Sequence, residues 1–115
     1  MLLRIAADSD EPLFAQVAAA IRAHLSSGEA RPGDRLPPAR DVASGLGVNV
    51  HTVLHAYQEL RDEGLIDLRR GRGAVVTDGA GAVAKLQQDI DALGRRAAEL
   101  GMAPATAVAL LRAAM

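Results

Sequence analysis

His51 and His55 stand four residues apart, so on a helix they would share one face at a spacing that can bind zinc. The chain holds one further histidine, His24, and no cysteine. The acidic general base and third ligand of a metalloprotease do not accompany the pair, so no metal is expected there. Without cysteine there can be no disulfide framework, thiolate zinc site or thiol nucleophile, and this fits a reducing cytoplasm. Gly71-Arg72-Gly73 is too short to cradle a nucleotide. No paired-carboxylate motif stands out either, so neither enzyme activity nor a cofactor is expected. Arginine is the remaining chemistry. Residues 1–77 hold nine Arg against ten acids, and Arg35, Arg40, Arg69, Arg70 and Arg72 fall in two short stretches. A guanidinium is a permanent, forked cation suited to phosphate oxygens and guanine edges. The net charge of −1 is compatible with this, because a basic face depends on where charges lie.

These arginines must be positioned by a core of Leu, Val, Ile and Ala, since Phe14 and Tyr57 are the only aromatics among 115 residues. That length allows one domain, or a small domain with an appendage. Asp10 can cap a first helix that begins at Pro12 and carries Leu13, Val17, Ile21 and Leu25 as one stripe until Gly28. Arg31-Pro32-Gly33-Asp34 is a turn, and Arg35-Leu36 a short extended link before Pro37 and Pro38. A second helix starts at about Pro38, presents Val42 and Leu46, and stops at Gly47. Asn49 caps a third, with Val53, Tyr57 and Leu60 inward and Gly64 as its stop. Two helices across Leu46-Gly47-Val48-Asn49 have helix-turn-helix spacing, with Gly47 free to take positive φ.

Leu65-Ile66-Asp67-Leu68-Arg69-Arg70 and Gly73-Ala74-Val75-Val76-Thr77 read as a β-hairpin with Gly71-Arg72 at its tip. Gly79-Ala80-Gly81 reads as a linker. Val83, Leu86, Ile90, Leu93, Ala97 and Leu100 then step by 3, 4, 3, 4 and 3, the seam of a helix that packs against another helix. Pro104 opens a last short helix with Val108, Leu111 and Met115 apolar. The run Met1-Leu2-Leu3-Arg4-Ile5-Ala6-Ala7-Asp8 is too short in apolar residues for a signal peptide, and no apolar run suits a membrane span.

A helix-turn-helix followed by a basic hairpin is the layout of a winged helix protein. The third helix would offer its N-terminal turn to the major groove, where free N–H groups and the positive dipole end favour phosphate. The hairpin tip would set arginine beside the backbone or in the minor groove.

The residues also resemble the GntR family of bacterial regulators. The resemblance rests on Pro12-Leu13-Phe14-Ala15-Gln16-Val17, Gly28-Glu29, Pro32-Gly33-Asp34-Arg35-Leu36-Pro37 and Ala39-Arg40-Asp41-Val42-Ala43. It continues through Leu46-Gly47-Val48, Thr52-Val53, Glu59-Leu60, Glu63-Gly64-Leu65-Ile66 and Gly71-Arg72-Gly73. The remaining 38 residues resemble the reduced C-terminal module of the YtrA-like subfamily, as does Asn49-x-x-Thr52-Val53 with Ala56-Tyr57. The resemblance implies that Arg40 meets a guanine or a phosphate, that Asn49, His51 and Thr52 open the recognition helix, and that Arg70, Gly71 and Arg72 form the wing tip. Val50 and Leu54 stand where many members carry Arg. This shifts expected recognition toward Asn49, His51, Arg40 and the wing.

Plainer roles compete with these. Arg40 could pair with Asp41 or Asp62, and Arg35 could stitch the turn beside Asp34. Arg69 and Arg70 alternate along a strand, so at most one should face DNA. His24 should be inert, and Tyr57 should belong to the core rather than to a base-stacking platform. The expected architecture is mostly α with a small β-hairpin wing: a winged helix-turn-helix over residues 1–77 and a two-helix dimerisation module over 78–115. The expected function is a sequence-specific transcription regulator, a repressor, acting as a cytoplasmic homodimer on two-fold symmetric operator DNA. Arg35 joins the expected DNA contacts, and Val83, Leu86, Ile90, Leu93, Ala97, Leu100, Val108 and Leu111 the dimer contacts. The alternative is an accessory or antitoxin-like dimer that binds a protein through its C-terminal helices. The C-terminal module is too small to enclose a metabolite pocket of roughly 300 Å³ in one subunit, so an unknown small-molecule effector would sit at the dimer interface.

Overall fold

Helix α1 (Leu13–Ser26) buries Val17, Ala18, Ile21 and Leu25 along the stripe expected from their spacing. The computed structural model describes residues 1–115 except Leu2 and Ala7; the N-terminal run considered above includes these two, which lie outside the described residues. Asp10 does not cap α1. Pro12 is itself the N-cap, in extended geometry and with no side-chain cap bond. Gln16 ties down the preceding arm instead, its amide donating to the Ala6 and Glu11 carbonyls and its oxygen accepting the Ala6 N–H.

Helix α2 (Ala39–Leu46) ends at Gly47, whose φ of 68° and ψ of 33° are left-handed. The Val48 N–H reaches back to the Ala43 carbonyl at 3.0 Å, which closes the helix end and turns the chain sharply. Helix α3 (Val50–Asp62) follows at once and buries Val53, Ala56, Tyr57 and Leu60. Together with Ile66, Val76 and the α1 stripe these residues make one core, against which Leu3, Ile5, Leu46 and Val50 pack from the side.

Strands β1 (Ile66–Arg69) and β2 (Gly73–Val76) pair antiparallel, from Ile66 opposite Val76 to Arg69 opposite Gly73. Arg70 belongs to the turn rather than to the strand, and Gly71 at its centre has φ 80°. Arg35-Leu36, expected to be only a link, also bonds to β2, together with Asp34 of the preceding turn. Leu36 N–H donates to the Ala74 carbonyl at 2.9 Å, Val76 N–H to the Asp34 carbonyl at 2.8 Å, and Arg35 bridges Val75.

Gly79-Ala80-Gly81 is not a linker. It lies in the first turn of helix α4 (Asp78–Glu99). Ala80 is fully covered and Val83 packs against the core of the head. A Cβ on Gly79 would lie 2.6 Å from the Gly64 carbonyl oxygen, so this contact admits only glycine. The chain divides into two compact units, residues 1–85 and 86–115. The second comprises the rest of α4 and helix α5 (Pro104–Ala114), which follows a turn where Gly101 has φ 72°. No helix among the described residues is long and apolar enough to cross a membrane. The architecture is mostly helical with a two-stranded hairpin, as expected from the sequence.

Candidate nucleic-acid interface

The helix-turn-helix leaves one face of α3 outward. Asn49 caps the helix, its Oδ1 accepting the His51 N–H at 2.8 Å, so the first turn is held in shape by its own side chain. His51, Leu54, His55 and Gln58 are exposed on the face opposite Val53, Ala56, Tyr57 and Leu60, and Thr52 is half-buried. The position of α3 is fixed from two sides. The Tyr57 hydroxyl donates to the Pro37 carbonyl at 2.6 Å, tying α3 to the entry of α2. Burial pushes the phenol up to about 12, since ionisation there would strand a charge in the core. At the far end of α3, Arg22 of α1 forks onto Glu63 through Nε–Oε1 and Nη2–Oε2 bonds of 2.8 and 2.6 Å. That pairing raises the Arg22 pKa, the hydrogen bonds outweighing partial burial.

Three of the twelve arginines form ion pairs among the described residues. Arg22 pairs with Glu63, Arg61 with Asp62 at 3.4 Å, and Arg69 with Asp67 at 3.2 Å on the same face of β1. Arg35, Arg40, Arg70 and Arg72 are exposed, and none forms an ion pair among the described residues. Arg40 thus takes neither Asp41 nor Asp62, and Asp62 is engaged by its neighbour. Asp34 stitches its turn through the Arg31 N–H at 2.8 Å, without Arg35. Arg35, Gly71 and Arg72 line one open cleft of about 680 Å³ between the wing tip and the loop after α1. The bridge from residues 34–36 to β2 brings this about. Pairing between segments so far apart leaves no mark in local sequence.

His24 is half-buried with Nδ1 3.7 Å from Glu29. His51 and His55 belong to no cluster of metal-ligating residues among those described. His55 instead stacks on Phe14 with ring centroids 3.9 Å apart and planes at 16°. Sequence spacing carried no signal for this contact between the start of α1 and the outer face of α3.

In the second unit Leu93, Ala97, Leu100 and Leu111, with Leu110 and Met102, line an apolar groove of about 250 Å³. Leu86, Ile90 and Val108 are exposed beyond it. Val83, at the head of the expected seam, is half-buried on the first unit, so the exposed part of the stripe starts at Leu86.

Comparison with known proteins places this geometry. The family described as bacterial regulatory proteins, gntR family, matches residues 13–76. The chain is 34% identical over 79 residues to the HTH-type transcriptional repressor YtrA of Bacillus subtilis, a match covering 69% of this chain and 61% of that protein. Among solved structures it is similar to YtrA from Sulfolobus acidocaldarius, a GntR-family transcription factor, with 42% identity and a TM-score of 0.62 over 67% of this chain and 81% of that one. It is also similar to the AraR DNA-binding domain in complex with operator ORX1, at 27% identity and a TM-score of 0.59 over 65% of this chain and 93% of that one. The relatives carry names of transcription factors and repressors, not of enzymes. With its winged helix-turn-helix and a family match spanning more than half its residues, the chain belongs to the GntR family of bacterial regulatory proteins, on the YtrA-like side.

Proposed function

We propose that the chain is a sequence-specific DNA-binding transcription regulator, a repressor, that acts as a homodimer on a two-fold symmetric operator. Residues 1–77 carry the DNA contacts: Arg40 from α2, Asn49, His51 and Thr52 from the first turn of α3, and Arg35, Arg70, Gly71 and Arg72 at the wing. Residues 86–115, the exposed part of the expected 78–115 module, hold two chains together. The observation that carries this is where four of the unpaired arginines stand. Arg35, Arg40, Arg70 and Arg72 form no ion pair among the described residues, and they lie on the segment bridged to β2, at the start of α2 and at the turn of the hairpin, the parts a winged helix turns to DNA. An exposed arginine that forms no ion pair within the chain gains by meeting phosphate and releasing its counterions. The AraR domain of similar fold was solved on its operator, and the Bacillus relative is named a repressor; both support the same assignment here.

An electrophoretic shift on the chain's own promoter tests it. A shift that weakens steeply with salt and exceeds the shift on unrelated DNA of equal length is expected. Equal affinity for both fragments, or none for either, overturns the proposal. Self-association without any shift would favour the accessory dimer that binds a protein through its exposed C-terminal stripe.

A further inference from the structure

The outer face of α3 holds one residue whose chemistry differs from its neighbours. Leu54 is 40% exposed, although the helix has a complete inner face without it. Exposure alone would mean little, because soluble surfaces carry scattered apolar side chains. The position is what matters. Leu54 lies one turn inside the Asn49 cap, and its neighbours at i−3 and i+4 are the exposed polar residues His51 and Gln58. At i−4 it follows Val50, which is half-buried and packs against the core. Leu54 therefore sits at the front of α3, on a rigid helix and in the company of hydrogen-bonding groups.

We propose that Leu54 is a specificity-determining residue that reads the 5-methyl group of thymine in the major groove. The inference rests on the proposed docking of α3 on DNA and adds what that docking selects. In the major groove every base edge offers donors or acceptors, and the thymine methyl is the only apolar feature. A leucine set there gains by covering that methyl. Opposite guanine, cytosine or adenine it would strip water from a polar edge and return no hydrogen bond, which costs affinity. Attraction to thymine and discrimination against the other bases thus come from one side chain, while His51 and Gln58 can hydrogen-bond the flanking pairs.

The test replaces thymine by uracil, which removes the methyl and nothing else, at each position of a duplex selected from a random-sequence pool by the full-length chain. One position in each half-site should lose about fourfold in affinity per methyl, the equivalent of about 0.8 kcal/mol for a buried methylene-sized group. Leu54→Ala should bind the parent duplex more weakly and become indifferent to uracil at those positions. Leu54→Met should keep the sensitivity. Because Leu54 is outside the core, the helical circular dichroism of both variants should match the parent. Uracil without effect at every position, on a duplex that is still bound tightly, overturns the role of Leu54 and leaves DNA binding standing. Sensitivity that persists in Leu54→Ala assigns the methyl to another residue and equally overturns the proposal. Failure to select any duplex overturns the DNA-binding assignment itself, and this inference with it.

Discussion

The two units of the chain are both rich in aliphatic residues, yet they use them differently. In residues 1–85, Val17, Ile21, Val53 and Leu60 are completely covered. In residues 86–115 no residue is buried; Ile90 is 44% exposed and Leu100 64%. A pair of helices with such a stripe leaves unclaimed most of the hydrophobic free energy its sequence could supply, about 25 cal/mol for each Å². The head completes its own core, and the tail has the composition of half a core. One chain therefore combines a part that reads as finished and a part that reads as a surface for another helix.

The largest expected effect comes from separating the two. A chain ending at Lys85 keeps Ala80 and Val83 on the head, so its helical circular dichroism and cooperative melting should survive. It should sediment as a monomer and bind operator about 10²- to 10⁴-fold more weakly, because the second head no longer binds at millimolar effective concentration. A chain ending at Thr77 uncovers the core beneath Ala80 and should melt at a lower temperature still. If the chain ending at Lys85 remains dimeric and binds as tightly as the parent, the contrast drawn above is wrong.

Within the full chain, Leu60→Ala should lower the unfolding free energy by about 2–5 kcal/mol, the range for emptying a well-packed aliphatic site. Leu93→Ala should instead make denaturant unfolding more dependent on protein concentration, as expected when a residue stabilises an assembly rather than a monomer. Melting curves at two concentrations distinguish the outcomes. A large loss for Leu93→Ala that is the same at both concentrations would put Leu93 in a monomer core.

Two glycines sharpen the same contrast. Gly79→Ala forces a Cβ to within 2.6 Å of the Gly64 carbonyl, and relief of such overpacking should cost about 1–3 kcal/mol. Gly94→Ala meets nothing within 4 Å and should stabilise α4 by up to about 1 kcal/mol through helix propensity. If Gly94→Ala instead weakens self-association in sedimentation, a second helix approaches α4 at that point.

A smaller effect involves pH. The Tyr57 phenol, ordinarily at 10.0, is pushed up to about 12 in the fold. Between those values the folded chain keeps a proton that the unfolded chain has lost. Stability from this group is therefore full below pH 10 and falls as the pH rises toward 12. Tyr57→Phe should remove that part of the alkaline decline while losing about 1 kcal/mol at neutral pH with the bond to Pro37. An identical alkaline profile in the variant would assign the decline to other groups. Smallest of all, Arg72→Ala should reduce the slope of log affinity against log salt by about one, whereas Arg69→Ala, already paired with Asp67, should leave it nearly unchanged.

Much of the head was legible because its signals are local. Gly47 and Asn49 bracket the turn, and the stripes of α1 and α3 have helical periodicity. What escaped the sequence depends on partners distant in the chain. Gly79 and Gly81 carry the composition of a flexible joint, but small residues also suit a helix that must lie close against other backbone, and only the position of Gly64 decides between them. Asp10 is a good cap by type, yet Pro12 already sets the entry geometry of α1. Residues 34–36 look like a spacer because their bonding partner is β2. The unpaired state of Arg35 and Arg40 required knowing which carboxylates were engaged elsewhere, and the stacking of His55 on Phe14 required the packing of α1 against α3.

The bridging of residues 34–36 to β2 has a consequence for crowding. β2 is bonded on one side by β1 and covered on the other by the Arg35 bridge and its flanking backbone bonds, so the strand edge left open is the outer edge of β1. That edge is four residues long and carries the Asp67–Arg69 ion pair, with Arg70 beside it. Short, charged edges resist the strand-to-strand addition by which exposed sheets grow into aggregates. A wing with so short and charged an edge is a poor template for strand addition, which leaves the exposed aliphatic residues of 86–115 as the more adhesive surface.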